Sequence, residues 1–339
     1  MRVKQILILI LIMAMLAACG GNDSGEVQPP TVVPSQTPPP TATTIPTLAT
    51  PLALLILPID MDKATSDVYQ KTVYDLALAS GFRFQVRNGI TPEDLADPTL
   101  KVVIALPPDP GVVNYAATVP NVQFLAVNIP NVTAGGNVSV LAPNNQVELP
   151  AFLAGYTLAM LIEEYHIGMV IPQGDVDAQR AFIAFSNGMK YYCGLCQTLY
   201  FSLIGYPTYI EIPPTEDPSK YGSYANVLIN DRDVDGLYIY PSLASDDFLS
   251  YVGTQGVYLI GVTSPEPRPG GWVMTITPDT IKAIQAAWPQ LIAGQGGQNV
   301  QSPLGIADVD PGILTEGKLR LVNQILDDLI NGRILPSNP

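Results

Sequence analysis

The chain has 339 residues, 47% of them hydrophobic, enough for one large domain or two medium ones with a sizeable core. Its 30 acidic side chains outnumber 16 basic ones and give a formal net charge of −14, which argues against a nucleic-acid polymer as partner and against electrostatic adhesion to anionic lipid. The single histidine, His166, excludes a His-based metal set and most triad chemistry, so no metal site and no cofactor is expected.

The chain opens with the short basic stretch Met1-Arg2-Val3-Lys4 and an uncharged apolar run from Ile6 to Leu16. That run has the length of a signal-peptide core and falls well short of the roughly 20 residues needed to span a bilayer. It ends in Leu16-Ala17-Ala18-Cys19, which resembles the lipobox of bacterial lipoproteins. The resemblance implies a leader over 1–18 and lipid attachment at Cys19. The alternative is an ordinary secretory peptide that ends near a cysteine. Residues 19–51 are rich in Pro, Thr, Gly and Ser and read as an unstructured tether, since they lack the apolar residues of a core. With Cys19 set aside, Cys193 and Cys196 remain as a pair, read as a disulfide in an oxidising compartment. The alternative for Cys193-Gly194-Leu195-Cys196 is a thiol-disulfide exchange motif, although such a motif opens a helix and this one follows a predicted helix.

From Leu52 the pattern alternates strand and helix. Leu52–Pro58 reads as a buried parallel strand, 68–80 as a helix closed by Gly81, and 82–86, 102–106 and 122–127 as further strands with helical material between them. The run Ala151–Ile162 is apolar almost all round and too short for a membrane span, so it is placed inside the domain. The alternation then restarts with strands at 167–171, 208–212, 236–240, 257–262 and 272–276. The helices of this half are expected at 176–191, 221–230, 244–252, 278–293 and 318–331, the last closed by Gly332. Two consecutive sets of this kind predict an α/β fold of two doubly wound, Rossmann-like lobes with parallel sheets. A cleft is expected between them at the carboxyl ends of the strands. The expected division is 52–149 plus 264–312 for the N-terminal lobe and 150–263 plus 313–339 for the C-terminal one.

Candidate ligand-binding residues follow from that placement. Asp60 and Asp62 follow the first strand; their carboxylates can accept paired hydrogen bonds, or cap the next helix. Tyr240 and Ser242 end a strand of the second lobe, Arg180 opens one of its helices, and Trp272 could offer a flat apolar face or fill the core. His166 reads as a cation at a helix C-terminus. No phosphate-binding loop, dinucleotide fingerprint or hydrolase elbow occurs, so no catalytic residue is expected.

Several stretches resemble the basic membrane protein family of substrate-binding lipoproteins. They are Phe152-Leu153-Ala154-Gly155, Ile167-Gly168-Met169-Val170, Phe182 through Gly188, Gly236 through Tyr240, Leu259-Ile260-Gly261-Val262 and Asn331-Gly332-Arg333-Ile334. The resemblance implies a type I periplasmic-binding fold, hinge closure on a small-molecule ligand, and delivery to the permease subunits of an ABC importer. It implies a purine nucleoside as ligand. The sequence departs from the family where a stacking Phe and its Asn are missing from the loop Asp60–Ser66, and where Thr263 stands in place of an aspartate. The expectation is a non-enzymatic, monomeric solute-binding protein, lipid-anchored on the extracytoplasmic face of the cell membrane. The alternatives are a surface thiol-disulfide oxidoreductase and a ligand sensor that signals to a membrane partner.

Overall fold

The computed structural model describes residues 49–196 and 204–337. The expected leader, Cys19 and nearly all of the tether lie outside the described residues.

The chain enters the fold through β1 (Leu52–Ile56), α1 (Lys63–Ala79), β2 (Arg83–Arg87), α2 (Pro92–Ala96), β3 (Leu100–Ala105), α3 (Val112–Thr118), β4 (Gln123–Val127) and β5 (Val138–Pro143). β1 is buried along its whole length because both faces are covered. Ala53 and Leu55 face the core beneath α1, while Leu52, Leu54 and Ile56 face the core that includes Val112 and Ala116 of α3. α1 begins five residues before the expected start. Its first turns, Lys63 to Asp67, are largely exposed and show no apolar period, and the signal that starts them is the Asp62 cap. It ends as expected: Gly81 adopts φ +74°, Phe82 N–H donates to the Ala77 carbonyl at 2.8 Å, and Gly81 N–H donates to that of Leu78 at 3.1 Å.

The chain then crosses to a second lobe through α4 (Glu148–Leu161), β6 (Ile167–Pro172), α5 (Val176–Cys193), β7 (Thr208–Ile212), α6 (Tyr221–Asn226), β8 (Gly236–Ile239), α7 (Asp246–Gly253), β9 (Tyr258–Gly261) and β10 (Trp272–Pro278). The apolar helix α4 is enclosed within this lobe between α5, α9 (Glu316–Ile330) and the sheet, as its composition required. No helix among the described residues is long and apolar enough to cross a membrane.

The remaining segments are α8 (Thr280–Ile292), β11 (Asn299–Ser302), β12 (Leu304–Ala307) and α9. They alternate between lobes, so the expected division needs correction. The first sheet has the order β11-β5-β4-β3-β1-β2 and is parallel throughout. The second has the order β12-β10-β9-β8-β6-β7 and is parallel except for the β10–β12 pair. β10 and β12 therefore belong to the second lobe, while α8 and β11 belong to the first. Residues 264–312 do not all join the first lobe because β10 is apolar and buried and pairs directly with its predecessor β9. The chain crosses between sheets at 144–147, around 278–279 and at Pro303.

His166 follows a short 3-10 turn beyond α4, and its partners are carboxylates rather than helix carbonyls. Its Nδ1 lies 3.4 Å from Asp233 and 3.5 Å from Asp235, and its ring stacks on Tyr206 with centroids 4.5 Å apart.

Candidate functional site

The carboxyl ends of the parallel strands in each lobe lead toward the crossings, so the loops that follow them line the opening between the lobes. On the first lobe these loops include Asp60, in an exposed turn, and Asp62. Asp62 is occupied as the cap of α1: its Oδ1 accepts from Thr65 N–H at 2.9 Å, and that bond holds the carboxyl below its ordinary range.

The second lobe gathers four of the expected residues on its own rim. Tyr240 directly follows β8, with its side chain largely buried. Burial, then Asp175 and Asp177, push its hydroxyl up to about 12, so it is a hydrogen-bonding phenol rather than an anion. Ser242 lies exposed in the following turn, and Thr263 is exposed just beyond β9. Arg180, on the first turns of α5, donates to Asp177 Oδ1 at 2.6 Å and pairs with Glu148 Oε1 at 2.9 Å. It joins the start of α4 to the start of α5, and both carboxylates reduce its capacity to hold an anion. Asp175 caps α5, accepting from the N–H groups of Asp177 and Ala178 at 2.8 and 3.0 Å.

Trp272 is not on the rim. It is 1% exposed, packs against Gly261 inside the second lobe, and donates from Nε1 to Thr275 Oγ1 at 3.2 Å. Cys193 and Cys196 form a disulfide at the far, C-terminal end of α5, with Cα atoms 4.8 Å apart. The helix dipole there opposes a thiolate, unlike the N-terminal position of an exchange motif.

Against the crossings, walled mostly by the second lobe, lies a cavity of about 500 Å³. Each crossing contributes to it: Asn144, Asn145 and Gln146 from the first, Ile276 and Pro278 from the second, Ser302 and Leu304 from the third. The second lobe adds Leu149, Asp177, Pro241 and Val262. This size lies within the range of small-molecule sites, about 300–1,000 Å³. Pro241 and Val262 adjoin the expected candidates Tyr240, Ser242 and Thr263; the other wall residues are not among the expected ligand-binding residues. The amide run Asn144-Asn145-Gln146, set between an apolar strand and an apolar helix, was a readable signal. Ser302 was not, because β11 and β12 have four residues each and no period long enough to detect. Among the described residues, no group of His, Cys, Asp and Glu could hold a metal ion.

No protein-family model and no curated protein matches the sequence. Solved structures do match. An ABC transporter system solute-binding protein from Conexibacter woesei DSM 14684 is similar at 17% identity and TM-score 0.51, covering 85% of this chain and 98% of its own. The fold is periplasmic-binding-protein-like. An ABC transporter system solute-binding protein from Aeropyrum pernix K1 aligns at 15% identity and TM-score 0.42, over 84% of this chain and 92% of its own. A LacI-family repressor from Corynebacterium glutamicum aligns at 14% identity and TM-score 0.40, over 76% and 97%.

Proposed function

We propose that this chain is a non-enzymatic solute-binding protein that closes its two lobes on a small polar ligand and presents it to the permease of an ABC importer. The observation that carries this reading is the cavity of about 500 Å³ at the junction of the two lobes, walled by residues in or beside the three chain crossings among the described residues. Bending at the crossings changes the shape of such a cavity, so ligand and lobe angle are coupled. The fold shared with the Conexibacter solute-binding protein supports the same reading.

The lipobox-like Leu16-Ala17-Ala18-Cys19 supports a lipid anchor at Cys19 on the extracytoplasmic face, and the Pro- and Thr-rich stretch supports a tether. The motifs quoted above make the basic membrane protein family the branch we favour, with a purine nucleoside as one ligand class to screen. Asp60, Arg180, Tyr240, Ser242 and Thr263 are proposed to line the approach to the ligand. Thermal-shift screening of the full-length chain against nucleosides, sugars, amino acids and amines tests the reading. A rise in melting temperature with at least one class is expected; a folded protein that no small solute stabilises sinks it.

A further inference from the structure

The chemistry of the cavity wall narrows the ligand beyond "small and polar", an inference that rests on the solute-binding reading. Three features decide it. First, among the described residues the wall holds a carboxylate, Asp177, and no Lys, Arg or His. The nearest guanidinium, Arg180, binds Asp177 through Oδ1 and spends its second arm on Glu148. One cation thus serves two carboxylates, and Asp175, two residues before Asp177 in the chain, is a third. An anionic ligand would enter next to uncompensated negative charge, whereas a cation would be attracted to Asp177 Oδ2. Second, much of the rest of the wall is aliphatic: Leu149, Pro241, Val262, Ile276 and Leu304. This stretch of the wall suits a ring-sized apolar body, since polar groups laid against it would lose water without replacement partners. Third, Ser302 is fully buried at the wall, and its hydroxyl has no hydrogen-bond partner among the described residues. A buried hydroxyl without a partner is uncommon and marks a place where a further polar group belongs.

We infer that the cavity takes a ligand with a protonated amine and a compact apolar body, the amine held by Asp177 and the body by the aliphatic wall, with Ser302 and the amides of Asn144 to Gln146 meeting its remaining polar atoms. Arg180 is a positioning residue in this arrangement. It fixes Asp177 through one oxygen and cancels part of the surplus charge without touching the ligand.

The test compares ligands of one shape and three charges on the full-length chain near neutral pH by titration calorimetry: tryptamine, tryptophol and indole-3-propionate. Tryptamine is expected to bind about tenfold or more tightly than indole-3-propionate. Asp177→Asn is expected to remove the advantage of tryptamine over tryptophol, and Asp177→Glu to retain it. Neither change should move the melting temperature of the unliganded protein by more than about 2 °C, since Asp177 is exposed and Asp175, not Asp177, caps α5. Equal or tighter binding of indole-3-propionate overturns the inference, as does an Asp177→Asn variant with an unchanged preference. If none of the three binds while a nucleoside or a sugar does, the inference falls and solute binding stands. If no solute of any class binds, both fall.

Discussion

Gly155 of α4 rests against the backbone carbonyl of Phe185 on α5, so closely that a Cβ at position 155 would collide with it. Gly188 meets the carbonyl of Phe152 in the reciprocal way. The two helices therefore pack backbone to backbone at the centre of the second lobe, and the glycines of the Phe152–Gly155 and Phe182–Gly188 stretches have a mechanical reason to be there. In an open helix, Gly→Ala gains about 0.5–1 kcal/mol. Here the sign reverses, because carbonyl groups in two packed helices cannot yield. Gly155→Ala and Gly188→Ala should each lower the urea midpoint, with a loss of about 1–3 kcal/mol or more. Gly317→Ala on α9, where an added methyl meets nothing, is the control and should not destabilise. Unchanged stability in Gly155→Ala would contradict the packing.

Trp272 fills the core instead of facing a ligand. Trp272→Ala is expected to cost about 3–5 kcal/mol in chemical unfolding. The affinity of any ligand found by screening should be unchanged once the folded fraction is corrected for. A variant with native stability and lost binding would return Trp272 to the site.

Glu216 accepts a hydrogen bond from the Tyr224 hydroxyl at 2.7 Å. That bond is the main reason its carboxyl sits below the ordinary value of 4.5, and the same contact raises Tyr224 above 10.0. A lowered carboxyl contributes stability that is fully present above 4.5 and is lost as pH falls through the lower folded value. A raised phenol contributes stability present below 10.0 and lost as pH rises through its higher folded value. The stability difference between wild type and Tyr224→Phe should therefore be flat between these limits and shrink beyond each. Urea titrations across pH measure it; a difference that grows in acid would refute the assignment.

The Cys193–Cys196 bridge closes a loop of only four residues. In the chain-entropy account such a loop contributes about 2 kcal/mol. The double change Cys193→Ser, Cys196→Ser should lower stability by about that amount and leave insulin reduction at background in both proteins. Reductase activity in the wild type that the change abolishes would favour thiol-disulfide exchange.

The fold was legible wherever a strand was buried on both faces. Leu52–Ile56 and Ile167–Ile171 are continuous apolar runs because helices cover both sides of them, and the helix stops at Gly81 and Gly332 are readable because only a left-handed residue closes the turn. The crossings were not legible. β11 and β12 have four residues each, the first mostly polar and the second apolar, and neither pairs with the strand next to it in sequence, so neither period nor composition shows which sheet each joins. The site suffered for the same reason. Residues after the long strands, such as Tyr240 and Thr263, could be named from the chain alone, while Ser302 is placed by a contact between lobes. Asp177 carries no signal of its own in the sequence, because its bond to Arg180 and its place on the wall arise only in the fold.

Three polypeptide crossings laid side by side behave mechanically as a strip, not a thread. A strip resists twisting and sliding of one plate over the other and leaves bending as its soft motion. Asn144, Pro278 and Ser302 lie in or beside that strip and also form the wall of the cavity. A molecule lodged there is wedged against the strip itself, so the gripping of cargo and the stiffening of the joint are the same physical event, and no separate relay is needed to report that the cavity is full.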